Sequence, residues 1–192
     1  MITNIMVGNK SVTVDTLADR WIHDDGNVTN TLTELQFFTT KAGKTLDQAN
    51  FEGDQSLVPE GHLFQTIAHV VTPRRNATAA ANTRLTQTDA VELYEQCYMD
   101  FQIQGAVAER MNAKFVAGGF DFTTVYEPAN LGALDVAVLG NGTHANSRRY
   151  EMEKIIPGGR SIDYYLRWPG GVTLATTRNV LVAFFGIQAV LV

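Results

Sequence analysis

The sequence predicts an all-β protein: a single jelly-roll, that is, a two-sheet antiparallel β-sandwich, with one short helix. Three observations lead to this fold class. Eight or more short stretches of the 192-residue chain alternate apolar with polar residues or are rich in β-branched residues. Only one stretch has helical spacing, whereas a parallel α/β fold needs a helix between most strands. No linker or internal repeat divides the chain, so we expect one domain over residues 1–192.

The stretch from Pro157 to Val192 predicts two long strands joined by a tight turn. Every second residue of the first strand is apolar, which is typical of a strand with one buried face; these residues are Ile162, Tyr164, Leu166 and Trp168. The run Val180–Val192 is almost wholly apolar but shorter than the roughly 20 residues that a membrane-spanning helix needs. It therefore predicts a central strand covered on both faces, which closes the sheet.

Strands are also expected in the first half of the chain, between polar segments. The predicted strands are 11–17, 31–40 and 61–71, the last of them ended by Pro73. Asp24–Asn27 has the composition of a turn. Residues 41–60 predict a long ordered loop. Residues 74–86 predict a mobile surface loop, because they offer almost nothing to bury.

One helix is expected, starting near Asp89. A capping-box pattern at Thr86–Asp89 precedes apolar residues spaced three and four apart, and these are Ala90, Val91, Tyr94, Cys97 and Tyr98. Alternation then returns, and the further predicted strands are 99–103, 106–115, 120–125, 135–139 and 150–156.

Composition limits the possible functions. Lys plus Arg number 15 against 20 Asp plus Glu, so the net charge of −5 gives no basic field for direct nucleic-acid binding. The apolar share of 45% and a mean hydropathy of −0.07 are typical of a globular protein rather than a membrane protein. The start of the chain lacks the pattern of a signal peptide, so we expect synthesis in the cytoplasm.

The residues that usually carry chemistry are scattered. His23, His62, His69 and His144 show neither the i, i+4 nor the His-x-His spacing of a metal site, and His62 and His69, seven apart on one strand, are expected on opposite faces. Cys97 is the only cysteine, expected on the inner face of the helix as a core residue. No catalytic, cofactor-binding or metal residue is predicted, and the chain is not expected to be an enzyme.

Two basic pairs are the candidate assembly contacts: Arg74 with Arg75, and Arg148 with Arg149. Both pairs are expected in loops. Either they are solvated turn residues, or they contact an acidic neighbouring subunit or lipid headgroups.

The order of elements resembles a known family, the jelly-roll major coat proteins of icosahedral, membrane-containing viruses and bacteriophages, whose rolls stand upright on the capsid. The similar segments are 47–50, Leu57–Gly61 with the strand from His62, the helix Asp89–Gln96 leading into 98–104, and Tyr150–Pro169 followed by an apolar strand containing Phe185–Gly186. The resemblance implies a virion capsid subunit, synthesised in the host cytoplasm and assembled into capsomers over an internal membrane.

The partners implied by this resemblance are copies of the chain itself, a second coat protein and a vertex or spike protein, with lipid-headgroup contact and no direct nucleic acid. Loops 41–60, 74–86 and 128–134 would make subunit contacts or project outward.

Two alternatives from other classes remain open. The first is a carbohydrate-binding jelly-roll module of a fibre or tail, in which Trp21, Trp168 or Tyr164 forms a stacking platform; aromatic residues at alternate strand positions are more often core. The second, weaker alternative is a cupin-like enzyme, which the missing histidine pair disfavours.

Overall fold

The computed structural model describes residues 3–7, 10–53, 55–74, 87–113, 116, 123–125, 136–138 and 148–191. Within these residues the chain forms eleven strands and one short helix, which confirms the all-β sandwich class. The elements are β1 (Thr3–Val7), β2 (Lys10–Val28), β3 (Glu34–Phe37), β4 (His62–Arg74), α1 (Gln87–Tyr94), β5 (Tyr98–Ile103), β6 (Ala106–Asn112), β7 (Thr123–Val125), β8 (Val136–Val138), β9 (Arg148–Pro157), β10 (Ile162–Arg167) and β11 (Arg178–Leu191).

The strands form two large sheets. The five-stranded sheet has the order β1-β2-β11-β4-β9, the four-stranded sheet has the order β3-β10-β5-β6, and β7 pairs with β8 in a separate two-stranded sheet. Four antiparallel ladders are nested, since β2 pairs with β11, β3 with β10, β4 with β9, and β5 with β6. The chain thus folds back on itself as one long ribbon, and the β11–β4 and β10–β5 ladders join neighbouring parts of that ribbon into sheets.

Alternate residues of the two sheets form the core between them. On β10 the inward residues Ile162, Tyr164 and Leu166 are at most 1% exposed, which confirms the buried face predicted for this strand. On β11 the ring of Phe184 lies 5.8 Å from the Tyr164 ring, measured between centroids. β10 and β11 belong to different sheets, so this ring pair packs the two layers against each other.

The predicted hairpin of residues 157–192 is therefore wrong. β10 and β11 are interior strands of different sheets, and the segment 168–177 carries the chain across from one sheet to the other. Coverage of β11 on both faces is also incomplete. Leu181, Phe185 and Ile187 are partly exposed, while Val180 and Val182, which alternate with them, are buried.

The turn predicted at Asp24–Asn27 is wrong as well, because β2 runs straight through it for 19 residues. The residues that suggest a turn serve the core instead. The buried Asp24 carboxylate accepts the Phe38 N–H at 2.7 Å and pairs with the ammonium group of Lys44. A side chain on Gly26 would place its Cβ 2.7 Å from Leu35 Cδ2, so the Leu35 side chain would have to shift to admit it.

A bulge in β4 changes the expected positions of the histidines. Thr66 and Ala68 pair with consecutive residues of β11, so Ile67 is one residue too many in the ladder. This extra residue reverses the alternation of faces. His62 and His69 consequently lie on the same face, towards the four-stranded sheet, rather than on opposite faces.

The remaining predicted elements agree more closely. The helix is present but ends at Tyr94, β4 continues through Pro73 to Arg74, and the predicted strands 106–115, 120–125, 135–139 and 150–156 correspond to β6, β7, β8 and β9. The rest of the loop predicted over 74–86 and the loop 128–134 lie outside the described residues. The described helix is too short and too polar to cross a bilayer.

Gly186 gives a test of this packing. Replacing it with alanine would place the new Cβ 2.2 Å from the Gln65 carbonyl oxygen, beside the bulge. We expect Gly186→Ala to lower the free energy of unfolding by about 1–3 kcal/mol, as overpacking does. Urea unfolding measures the change. Gly170→Ala is the control, because no heavy atom lies within 4 Å of its Cβ position; equal midpoints for both variants would contradict the packing described.

Candidate assembly surfaces

Three of the four arginines of the basic pairs lie on adjacent strands of the five-stranded sheet. Arg74 is the last residue of β4, and Arg148 and Arg149 are the first two residues of β9, where Arg148 pairs with His69. The prediction that these residues lie in loops is thus wrong for Arg74, Arg148 and Arg149, while Arg75 lies outside the described residues. Arg74 is five residues beyond His69, about 17 Å along the strand. Arg74 thus lies at the end of β4, whereas Arg148 and Arg149 lie beside the middle of that strand.

The aromatic residues considered as a sugar platform do not come together. Tyr164 and Trp168 are core residues, and the Trp168 indole N–H donates to the Glu92 carbonyl at 3.1 Å. Trp21 is 40% exposed on the opposite face of the five-stranded sheet, its ring 5.1 Å from that of Phe185. Trp21 is therefore the one of the three available at the surface.

The loop predicted over residues 41–60 lies outside the named strands and covers part of the edge of β2. The side chain of Asn50 takes the place of a neighbouring strand, because its Oδ1 accepts the His23 N–H at 2.7 Å and its Nδ2 donates to the Trp21 carbonyl at 2.8 Å. Its backbone N–H donates to the His23 carbonyl, and the Asp25 N–H donates to the Gln48 carbonyl. This stretch of edge is closed to other chains.

The β1–β2 hairpin is a surface that the sequence analysis missed. β1 pairs with residues 10–14 of β2 in regular register. The ladder between β11 and β2 begins at Val28 and ends at Val14, which pairs with Leu191. Residues 10–13 and β1 thus extend past the end of β11 by about 13 Å. Met6 on β1 is 63% exposed. The Gly8–Asn9 pair between two β-rich stretches is the sequence signal that predicts such a hairpin.

An open depression of about 440 Å³ lies beside the end of α1. Its lining includes two carboxylates, an exposed tyrosine and a Pro-Gly-Gly turn: Glu92, Glu95, Gln96, Tyr98, Trp168, Pro169, Gly170, Gly171 and Thr173. Tyr98 is 49% exposed, and the Glu92 carboxylate accepts the Thr173 N–H at 3.2 Å. Hydrogen-bonding groups and an aromatic ring therefore share one concave surface.

The three described histidines and the cysteine are separately placed, and His144 lies outside the described residues. The His23 ring contacts the Asp47 carbonyl, His62 contacts Gln188, and buried His69 lies 3.7 Å from the Glu109 carboxylate. Across the described ranges, no three His, Cys, Asp or Glu side chains converge as metal ligands would. Cys97 lies beyond the helix rather than on it; burial raises the pKa of its thiol, and a backbone hydrogen bond from Arg167 opposes this only in part.

A buried ion pair holds the helix against the sheet. Oδ2 of Asp89 accepts hydrogen bonds from Nε of Arg178, at 2.6 Å, and from Nη2 of the same guanidinium group. Oδ1 of Asp89 accepts a hydrogen bond from the Ala175 N–H at 3.0 Å. Asp89 is 1% and Arg178 is 8% exposed. This pair joins α1 to the beginning of β11 and to the segment that crosses between the sheets.

Removing one charge of this pair should be costly. We expect Asp89→Asn to lower the free energy of unfolding by about 3–5 kcal/mol, because Arg178 would keep a buried charge without its counter-ion. The control is the double variant Asp89→Leu/Arg178→Met, which removes both charges and should lose less. Chemical denaturation of both variants measures this difference. A double variant less stable than Asp89→Asn would show that the charge itself is not what the helix depends on.

Comparisons of the chain with protein-family models, with curated proteins and with solved structures found no match. By its fold the chain is an all-β protein in which two antiparallel sheets pack together, with one short helix among the described residues.

Proposed function

We propose that the chain is a single jelly-roll capsid subunit, which self-assembles into capsomers of an icosahedral virion shell over an internal membrane. Its partners in this proposal are copies of itself, a second coat protein and a vertex or spike protein. Contact with lipid headgroups belongs to the same proposal, and direct contact with nucleic acid does not.

The nested strand pairing carries this proposal. A jelly roll has eight strands in two sheets with Greek-key connections, and this architecture occurs in viral capsid domains, lectins and cupins. Here β2 to β6 and β9 to β11 are eight strands whose first pairs with the last, second with the seventh, and so on inward. That order supports a roll, and the segment resemblance to upright coat proteins favours the capsid class among proteins with rolls.

The surfaces support assembly as the use of this roll. An unpaired strand edge, an exposed Met6 and a half-exposed Trp21 are features that subunit interfaces use. The basic pairs Arg74–Arg75 and Arg148–Arg149 would supply charged contacts to a chain whose net charge is −5. An acidic neighbouring copy is the partner that these charges favour.

Reversing the first basic pair tests the proposal. We expect Arg74→Glu/Arg75→Glu to leave the fold intact and to block assembly, because the charges would then repel an acidic neighbour. Light scattering at rising protein concentration and electron microscopy measure the species formed. Circular dichroism checks the fold.

The control is Arg160→Glu, which reverses one charge at an exposed position outside both pairs and outside the predicted contact loops. Wild-type protein and this control should form large species while the Arg74→Glu/Arg75→Glu variant does not. An unchanged yield of large species from the arginine variant would contradict a role for this pair.

A carbohydrate-binding module of a fibre or tail is the second candidate, and the depression beside Tyr98 favours it. Carboxylate, amide and hydroxyl groups next to an exposed ring are suited to bind sugar hydroxyls and to stack on a sugar ring. Tyr164 and Trp168 are buried, so the sugar site of this candidate lies around Tyr98 instead.

For this candidate we expect glycan binding to depend on Tyr98. Tyr98→Ala should weaken binding at least about fivefold, corresponding to loss of roughly 1 kcal/mol of stacking. Titration of mono- and oligosaccharides followed by NMR measures this. Trp21→Ala is the control, since that ring lies on the other sheet. A chain that binds no glycan, or a loss confined to Trp21→Ala, would argue against this site.

A further inference from the structure

β1 differs from the other described edge strands in having neither a charge, nor a proline, nor a bulge. Proteins protect sheet edges with short strands, charges, proline or bulges. β9 contains five charged residues and Pro157, β6 contains a charged pair and a ladder irregularity, and β3 is only 4 residues long with Glu34. β1 has the sequence TNIMV, without charge, proline or bulge.

The backbone of β1 is paired on one side only. In the described part of the chain its hydrogen-bonding partner is β2 alone, and its other edge faces no strand. The contrast lies within one sheet, because the loop around Asn50 closes the next stretch of the β2 edge. An open, uncharged strand rich in β-branched residues is a template for pairing with another chain.

We propose that β1 pairs antiparallel with β1 of a second copy, joining two five-stranded sheets across a two-fold axis at Ile5. In this register Thr3 faces Val7 of the partner copy, Asn4 faces Met6, and Ile5 faces itself. It is the one antiparallel self-pairing that uses all 5 residues of the strand. The inference rests on the proposed function and names its first subunit contact.

A second copy fits this edge better than an unrelated partner. A strand without charges meets no like-charge repulsion when it pairs with itself, although the whole chain carries −5. The hairpin extends beyond the end of β11, which keeps the bodies of the two sandwiches apart. A two-fold contact also closes after one pairing, so it produces a dimer rather than an open fibre.

Charge placement at positions 4 and 6 tests this register. Asn4→Lys/Met6→Lys places like charges opposite each other twice, whereas Asn4→Glu/Met6→Lys places opposite charges at the same positions. Both variants replace Asn4, whose Oδ1 accepts the hydrogen bond from Thr13 Oγ1. We expect the dimer dissociation constant of the Lys/Lys variant to rise at least about tenfold above that of the Glu/Lys variant at low salt. Analytical ultracentrifugation measures both.

A cysteine at the two-fold axis gives a second test. Opposed residues of an antiparallel pair are about 4.5–5.5 Å apart at Cα, within the range of a disulfide. Ile5→Cys should therefore form a covalent dimer under mild oxidation, and Thr13→Cys on the neighbouring strand should not. Cys97 is buried and does not compete.

The outcomes separate the contact from the function. Charge-dependent dimers and a disulfide at position 5 support the β1 pairing. Large species that form equally well from both charge variants, with no disulfide at position 5, would overturn the pairing and leave the capsid proposal standing. A wild-type chain that stays monomeric at every concentration, without a disulfide in Ile5→Cys, would overturn the pairing and count against the proposed function.

Discussion

The packing of Phe184 against aromatic rings of the opposite sheet is the interaction on which the rest of the structure depends. Its centroid lies 5.0 Å from Phe101, 5.5 Å from Phe38 and 5.8 Å from Tyr164. Phe184 is the residue of β11 that stands between Ile22 of β2 and His69 of β4. Each such ring pair contributes about 0.5–1.5 kcal/mol beyond burial, so this cluster both joins the layers and fixes their register.

The core joins segments of the chain that are far apart in sequence. Arg20 and Gln188 hydrogen-bond although they are 168 residues apart, and the β2–β11 ladder that contains them borders the core. Such long-range pairing has a large loop-closure cost before it gains any burial. The Asp89–Arg178 pair, 89 residues apart in sequence, holds the segment that carries the chain from β10 to β11. A buried ion pair with so many hydrogen bonds specifies one path for that segment.

The sequence predicts the fold class and the strands whose burial is one-sided, and it fails where a distant residue decides. Alternation at Ile162, Tyr164 and Leu166 was sufficient because period-2 burial is a local property. The turn at Asp24 was wrong because its carboxylate is satisfied by Lys44 and the Phe38 N–H, which no local rule reveals. The prediction that His62 and His69 lie on opposite faces was wrong because the bulge at Ile67 depends on pairing with the neighbouring strand β11. Both errors arise from tertiary contacts overriding local preference.

The sequence likewise predicted some of the candidate surfaces and missed others. Their positions in the sheet bear on how a shell could close. Arg74, Arg148 and Arg149 were predicted as candidate contacts but not as strand residues. The strand β1 was missed, although its turn signal, Gly8–Asn9, stands in the sequence. The hairpin and Arg74 lie at opposite ends of the five-stranded sheet, since β2 and β4 run in the same direction beside β11. A two-fold contact alone stops at a dimer, so a closed shell requires at least one further, heterologous contact. Contacts at the two ends of one long sheet would meet that requirement, because an edge pairing of β1 at one end does not involve Arg74, which lies at the other end.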